Sequence, residues 1–251
     1  MGKEVEPVVA GGEVVIPDDV MAEMEAASRE QKAAIDVTTD VRLPQLRLVQ
    51  ATTQDVEAAA GQLFDSLTGA ALDEVDAIVL DMYKSRALFG GDNVGDPPTC
   101  TSPDAINGFG DPGGDCLRCP HADWRSGGRC QLRYNYFAVL LGDGFDPEHE
   151  LPRGVMMHGT SAKVATRLNT MLFGSKFFWS NVVHLSSVQE TNKRGTYKVW
   201  EARRSRPATS GEMMVAFAWH KQIAAAKSVA VAGDVTRDAG ATPAGDDDIP
   251  F

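Results

Sequence analysis

The only four cysteines in this chain of 251 residues fall inside one short stretch: Cys100, Cys116, Cys119 and Cys130. Cys116 and Cys119 belong to the run CLRC; fifteen residues separate Cys100 from Cys116, and ten separate Cys119 from Cys130. Thiolates two residues apart reach one metal ion readily, and Zn²⁺ accepts four sulfurs tetrahedrally. The N-terminus lacks the layout of a signal peptide and no run of 18 apolar residues occurs, so a cytoplasmic compartment is expected. Disulfides are rare there. The expected cofactor is therefore one structural Zn²⁺ on Cys100, Cys116, Cys119 and Cys130. His121, two residues past Cys119, is the competing ligand. Redox chemistry at Cys116 and Cys119 would leave the other two thiols without a role, and no strand–CxxC–helix context surrounds them. Four sulfurs close the metal's shell, which argues against catalysis by it.

A second group of residues could bind a polyanion. The formal net charge is −11, yet residues 151–207 carry ten Lys or Arg against two acids, Glu190 and Glu201. Aromatic residues interleave with this charge. Lys176, Phe177, Phe178 and Trp179 form one cluster; Lys193, Arg194, Tyr197, Lys198, Trp200, Arg203 and Arg204 form another. Single-stranded nucleic acid needs cations along its phosphates and flat side chains under its bases. On a strand Lys198 and Trp200 share one face, the layout of a stacking platform beside a phosphate contact, while Tyr197 faces the other way into a core. Lys84 and Arg86, and Lys163 and Arg167, extend the expected track. One of Tyr134 and Tyr136 is a further stacking candidate. His158, His184 and His220 lack metal-like spacing and read as satisfied polar or core residues. No phosphate-cradling glycine loop, Ser-His-Asp set or paired-carboxylate motif stands out, so no enzyme is expected.

Regular elements must hold these groups. Apolar alternation predicts strands at 41–50, 74–90, 133–141 and 153–159, and a hairpin from 179–190 and 196–204 turning at 191–195. Pro44 places the first of them at an edge or a bulge. A turn is expected at Thr68-Gly69. Helices are expected near 16–35, over 159–174 with Thr160 or Ser161 as cap, and over 211–230 with Met214, Phe217, Ala218 and Lys221 along one side. Residues 90–128 show no periodicity and are expected to lack regular structure. This order suits a mainly β fold with added helices, an OB-like β-barrel with an inserted structural zinc module. The expected divisions are an arm and helix at 1–36, a body at 37–230 containing the module at 91–131, and a disordered acidic tail at 231–251.

The last six residues, DDDIPF, closely resemble the acidic C-terminal tip of bacterial single-stranded-DNA-binding proteins. That resemblance implies an OB-fold body that grips DNA, and a tip that recruits replication, recombination and repair proteins. Asp246, Asp247 and Asp248 would address a partner's basic rim, and Ile249, Pro250 and Phe251 would fill its apolar pocket. The body departs from that family in its cysteine insertion, its size and its brief linker at 232–245. The strings LPQLRLVQ, SLTG, YKSRALFG, DPGGDCLRCP, TSAKVATRLNTML and GTYKVWE resemble zinc-containing ssDNA-binding proteins of tailed bacteriophages, over residues 41–204. The resemblances imply largely sequence-independent ssDNA binding in phage DNA replication or recombination, within a host cytoplasm and without a membrane. The alternative is a zinc-containing replication or transcription adaptor that binds nucleic acid weakly.

Overall fold

A computed structural model describes residues 8–10, 13–15, 17–33, 43–53, 56–90, 97–122, 129–142, 150–192 and 195–226. Lys193, Arg194 and the whole segment 227–251, including the DDDIPF tip, lie outside the described residues. The chain divides into a unit of residues 1–42 and a unit of residues 43–251. In the first, β1 (Val8–Ala10) pairs antiparallel with β2 (Glu13–Val15), and α1 (Asp18–Ala33) follows. Asp18 and Asp19 sit in the first turn of α1, where carboxylates favour the positive end of the helix dipole. Met21 and Met24 of α1 are exposed.

The second unit is mainly β. Its strands are β3 (Gln45–Leu48), β4 (Leu63–Asp65), β5 (Ala71–Leu72), β6 (Val75–Leu88), β7 (Cys100–Ser102), β8 (Asn107–Gly110) and β9 (Gly114–Asp115). Then come β10 (Cys130–Leu141), β11 (Arg153–His158), β12 (Asn181–Asn192) and β13 (Gly195–Pro207), with α2 (Ala162–Phe173) after β11 and α3 (Ser210–Ala226) last. They form an open mixed sheet in the order β5-β4-β3-β11-β10-β6-β7-β8-β9. All its ladders are antiparallel except β3 with β11. β6 is long enough to serve two neighbours on one edge: β12 along Val75–Ile78 and β7 along Arg86–Leu88.

Three sequence expectations change here. Pro44 does not put β3 at an edge: it precedes the strand, gives its carbonyl to the Gly154 amide, and leaves β3 between β4 and β11. A proline ahead of the first strand residue removes no ladder donor. The stretch 90–128 is not without regular structure, because β7, β8 and β9 lie within it. Neither Thr160 nor Ser161 caps α2 with its side chain; the Ser161 hydroxyl instead accepts the Trp200 amide at 3.2 Å.

β6 and β10 are buried on both faces, which explains the unbroken apolar run from Ala77 to Leu80. Ala77 and Val79 join Tyr136, Ala138, Val155, Met157, Leu46, Leu63, Val183, Leu185 and Trp200 in a core closed by Val164, Ala165, Leu168 and Leu172 of α2. Ile78 and Leu80 join Phe137, Val139 and Val182 in a second core, covered by Ala216 and Ile223 of α3. The segment that follows β3 reaches β13 through side-chain bonds and not through a ladder. The Gln50 side chain donates to the Lys198 carbonyl at 2.9 Å and accepts the Lys198 amide at 3.1 Å.

α3 begins with a capping box, TSGE (Thr209–Glu212). The Glu212 carboxylate accepts the Thr209 amide at 2.8 Å, and the Thr209 hydroxyl accepts the Glu212 amide at 3.3 Å. Arg206 adds two bonds to the same carboxylate at 2.7 and 2.8 Å. Chiefly through Arg206, and against partial burial, the Glu212 carboxyl is held down to about 2. A depressed carboxyl stabilises the fold above its ordinary value and loses that contribution as the pH falls through the folded one. Glu212→Gln is expected to cost about 1 kcal/mol at pH 7 and to flatten the acid side of the pH–Tm curve. Thermal melts of both proteins across the acid range check this.

Candidate metal centre and nucleic-acid interface

The register of β6 brings the cysteines together. Leu88 pairs with Cys130 on one side and with Cys100 on the other, so both thiols share a sheet face with Leu88 and, two residues earlier, Arg86. Cys116 and Cys119 enter on the turn after β9, where the Cys116 amide bonds the Ile106 carbonyl and the Cys119 amide faces the Cys116 carbonyl. The Asp115 carboxylate accepts the Leu117 amide at 2.9 Å and tightens that turn. Gly108 packs closely beside Cys100: an added Cβ would stand 3.1 Å from its sulfur.

All four cysteines are free thiols, and all four line one cavity of about 10 Å³ together with Arg86 and Leu88. A volume near that of one water-sized sphere suits a single ion and not an organic ligand. Among the described residues no group of three or more His, Cys, Asp or Glu side chains already stands at metal-holding geometry. The donor set nevertheless has the chemistry of a closed zinc site: soft sulfur ligands, clustered and not paired with one another. Burial pushes the Cys130 thiol up, and the guanidinium of Arg86 pulls it back through a hydrogen bond and its charge. His121 gives its carbonyl to the Cys130 amide at 2.9 Å and is not among the cavity-lining residues.

The expected nucleic-acid residues divide sharply. Trp200 is a correction: only 4% exposed, it packs in the core beneath α2 and cannot meet a base. Its partner on that face, Lys198, is half-buried, with its side chain laid against Gly61. The alternation was read correctly, but the Lys198–Trp200 face turns inward, under α2 and the segment after β3. Arg86 is half-buried, lines the cavity of the thiols and bonds the Ala122 carbonyl at 3.5 Å. Lys163 is exposed but its charge is met by Glu190 at 2.6 Å. Arg167, Arg203 and Arg204 are exposed. Tyr136 is buried and its hydroxyl donates to Asn169 at 2.8 Å, so Tyr134, half-buried with the Lys84 ammonium 5.5 Å from its ring, is the tyrosine left to stack.

The densest aromatic group lies between the α2–β12 connection and α3. Phe177 and Trp179 stack with planes 6° apart and centroids 6.3 Å apart. Trp179 also meets Phe217 at 5.4 Å and His220 at 4.7 Å. Lys176 lies over Phe177 and Lys221 over Phe217, at 5.3 and 5.0 Å. Phe177 and Phe217 remain 47% and 45% exposed, so this is a surface and not a third core.

No family model, curated protein or solved structure matches this chain.

Phe217 and Lys221 were not singled out as site residues from the sequence. The signal was the i, i+4 spacing of Phe217 and Lys221, which reads equally well as a buried stripe. The structure packs Met213, Ala216, Trp219 and Ile223 inward instead and leaves Met214 exposed. His184 and His220 have the polar partners expected of them. The His184 ring lies between Asp76 and Glu74 at 3.0 and 3.1 Å, His220 meets the Leu80 carbonyl at 3.1 Å, and His158 is half-buried.

Proposed function

We propose that this chain binds single-stranded DNA without strong sequence preference, as a non-enzymatic coat or chaperone of strands in replication or recombination. The observation that carries the reading is the half-exposed Phe177–Trp179–Phe217 group with Lys176 and Lys221 over its rings. Flat faces for bases beside cations for phosphates are the two requirements of a single-strand site. Tyr134 under Lys84, and the exposed Arg203 and Arg204, add to the same chemistry. The Gln50 bridge from the segment after β3 to β13 supports an OB-like barrel as the body. The four cysteines would hold a structural Zn²⁺, whose bonds would supply folding energy to a segment with few buried apolar groups. The C-terminal DDDIPF tip would recruit partner proteins by apolar anchoring and charge.

Fluorescent poly-dT and matching duplex, titrated at two salt concentrations, test this. Poly-dT is expected to bind more tightly than duplex, with an affinity that falls steeply with salt. Phe177→Ala is expected to weaken poly-dT binding by about 5-fold or more while leaving the melting temperature near wild type. Equal binding of duplex and poly-dT would sink the reading. It would favour instead a zinc-containing adaptor, for which the exposed Ile106, Phe109 and Leu117 on the cysteine segment would be the contact side chains.

A further inference from the structure

Arg86 occupies an unusual position for a cation on a sheet. It shares a face with Leu88, between the strands that carry Cys100 and Cys130, and it lines the same cavity as all four thiols. Its Nε is buried and makes no hydrogen bond, while the rest of the guanidinium meets the Ala122 carbonyl at 3.5 Å and the Cys130 thiol. A guanidinium has five donors in a rigid fork, and leaving a buried one unmet is costly. An acceptor carrying negative charge in the cavity would offset that cost. A Zn²⁺ bound by four thiolates carries a net charge of −2, and a buried dianion needs a fixed counter-charge nearby. The cation and the prospective dianion therefore each lack what the other supplies.

We infer that Arg86 is a positioning residue of the metal centre, whose guanidinium donates to the coordinated sulfurs and balances their charge, and that it takes no part in DNA binding. The inference rests on the zinc reading above. Outer-shell partners of this kind tune ligand basicity and orientation without touching the metal. A lysine at 86 would restore the charge but only part of the fork geometry.

The test uses the full chain loaded with Zn²⁺, and three variants of one position. Chelator competition is expected to give Arg86→Gln a zinc affinity about 10–100-fold below wild type, with Arg86→Lys recovering most of it. In Co²⁺-substituted protein the sulfur-to-cobalt charge-transfer band is expected at lower energy in Arg86→Gln, because the thiolate donors lose a stabilising cation. The salt slope of poly-dT binding should be unchanged, whereas loss of a phosphate contact would reduce it by about 0.7. Equal zinc affinity in wild type and Arg86→Gln overturns the inference, as does a reduced salt slope. Equal weakening in Arg86→Lys and Arg86→Gln overturns it too, because charge would then not be the cause. Wild-type protein that takes up no zinc sinks the metal reading itself. Should Arg86→Gln not fold, Arg86→Met serves in its place, compared by the same cobalt band.

Discussion

Arg153→Met is expected to lower stability by about 3–5 kcal/mol, because it leaves a buried carboxylate without its counter-ion. Arg153 and Asp65 are 3% and 4% exposed at their side chains, and bond in parallel: Nε to Oδ1 at 2.9 Å, Nη2 to Oδ2 at 3.0 Å. Glu150 meets the same guanidinium at 2.9 Å, and the Leu151 carbonyl accepts a further bond. Asp65 also accepts the Leu67 amide and the Thr68 hydroxyl, so it fastens the β4–β5 turn to β11. Burial pushes the Asp65 carboxyl up, but Arg153, the Leu67 amide and Thr68 together bring it below its ordinary value. In wild type the pair therefore stabilises the fold above that value and the contribution fades as pH falls through the lowered one. Without Arg153 the sign reverses. A buried, uncompensated Asp65 prefers its proton, and folding becomes less favourable as pH rises. The penalty of Arg153→Met should thus be large at pH 7 and shrink toward pH 3, by urea titration at both. A penalty independent of pH would show that packing, not charge, is lost.

Cys116→Ser is expected to abolish stoichiometric zinc in a chelator-buffered solution and to expose residues 97–122 to proteolysis. Ile106, Phe109 and Leu117 are exposed, so this segment buries little apolar surface of its own. What orders it are short ladders between β7, β8 and β9, and Asp104, which accepts the Ile106 and Asn107 amides and the Asn107 side chain at 2.8–2.9 Å. Those bonds are exposed to water and individually modest. Bonds from four thiolates to a metal are far stronger, and a segment ordered through them loosens when one is removed. The cores against α2 and α3 should survive, because Val79, Tyr136 and Leu168 on one side and Ile78 and Phe137 on the other pack without the cysteines. Metal analysis and limited proteolysis of wild type, Cys116→Ser and His121→Ala check this; His121→Ala should keep its zinc. A fully loaded Cys116→Ser protein would exclude the four-cysteine set.

The elements themselves were legible in the residues. Period-two alternation and turn chemistry located β6, β10, β11 and the β12–β13 hairpin, and the helical stripe of Val164, Leu168 and Leu172 located α2. The grouping of the cysteines was legible in their spacing; the register across Leu88 and the turn after β9 bring all four to one cavity. Sorting the cations and aromatics was another matter. Trp179 and Trp200 are each flanked by positive charge, yet one is half-buried at the edge of a core beside exposed rings and the other is fully inside a core. Lys84 and Arg86 share a strand face, yet one lies over Tyr134 and the other over thiols.

Local sequence dictates which side chains share a face, since that follows from the 2.0 and 3.6 residue periods of strand and helix. It does not say which face will be covered. That depended on contacts made from far away: α2 over Trp200, α3 beside Trp179, Gln50 across to Lys198 and Asp65 to Arg153, 148 and 88 residues apart. The alternation in β13 was therefore sound and its orientation was not. The cysteines needed both: CLRC sets two of them side by side by spacing, and the register across Leu88 brings Cys100 and Cys130 to the same cavity.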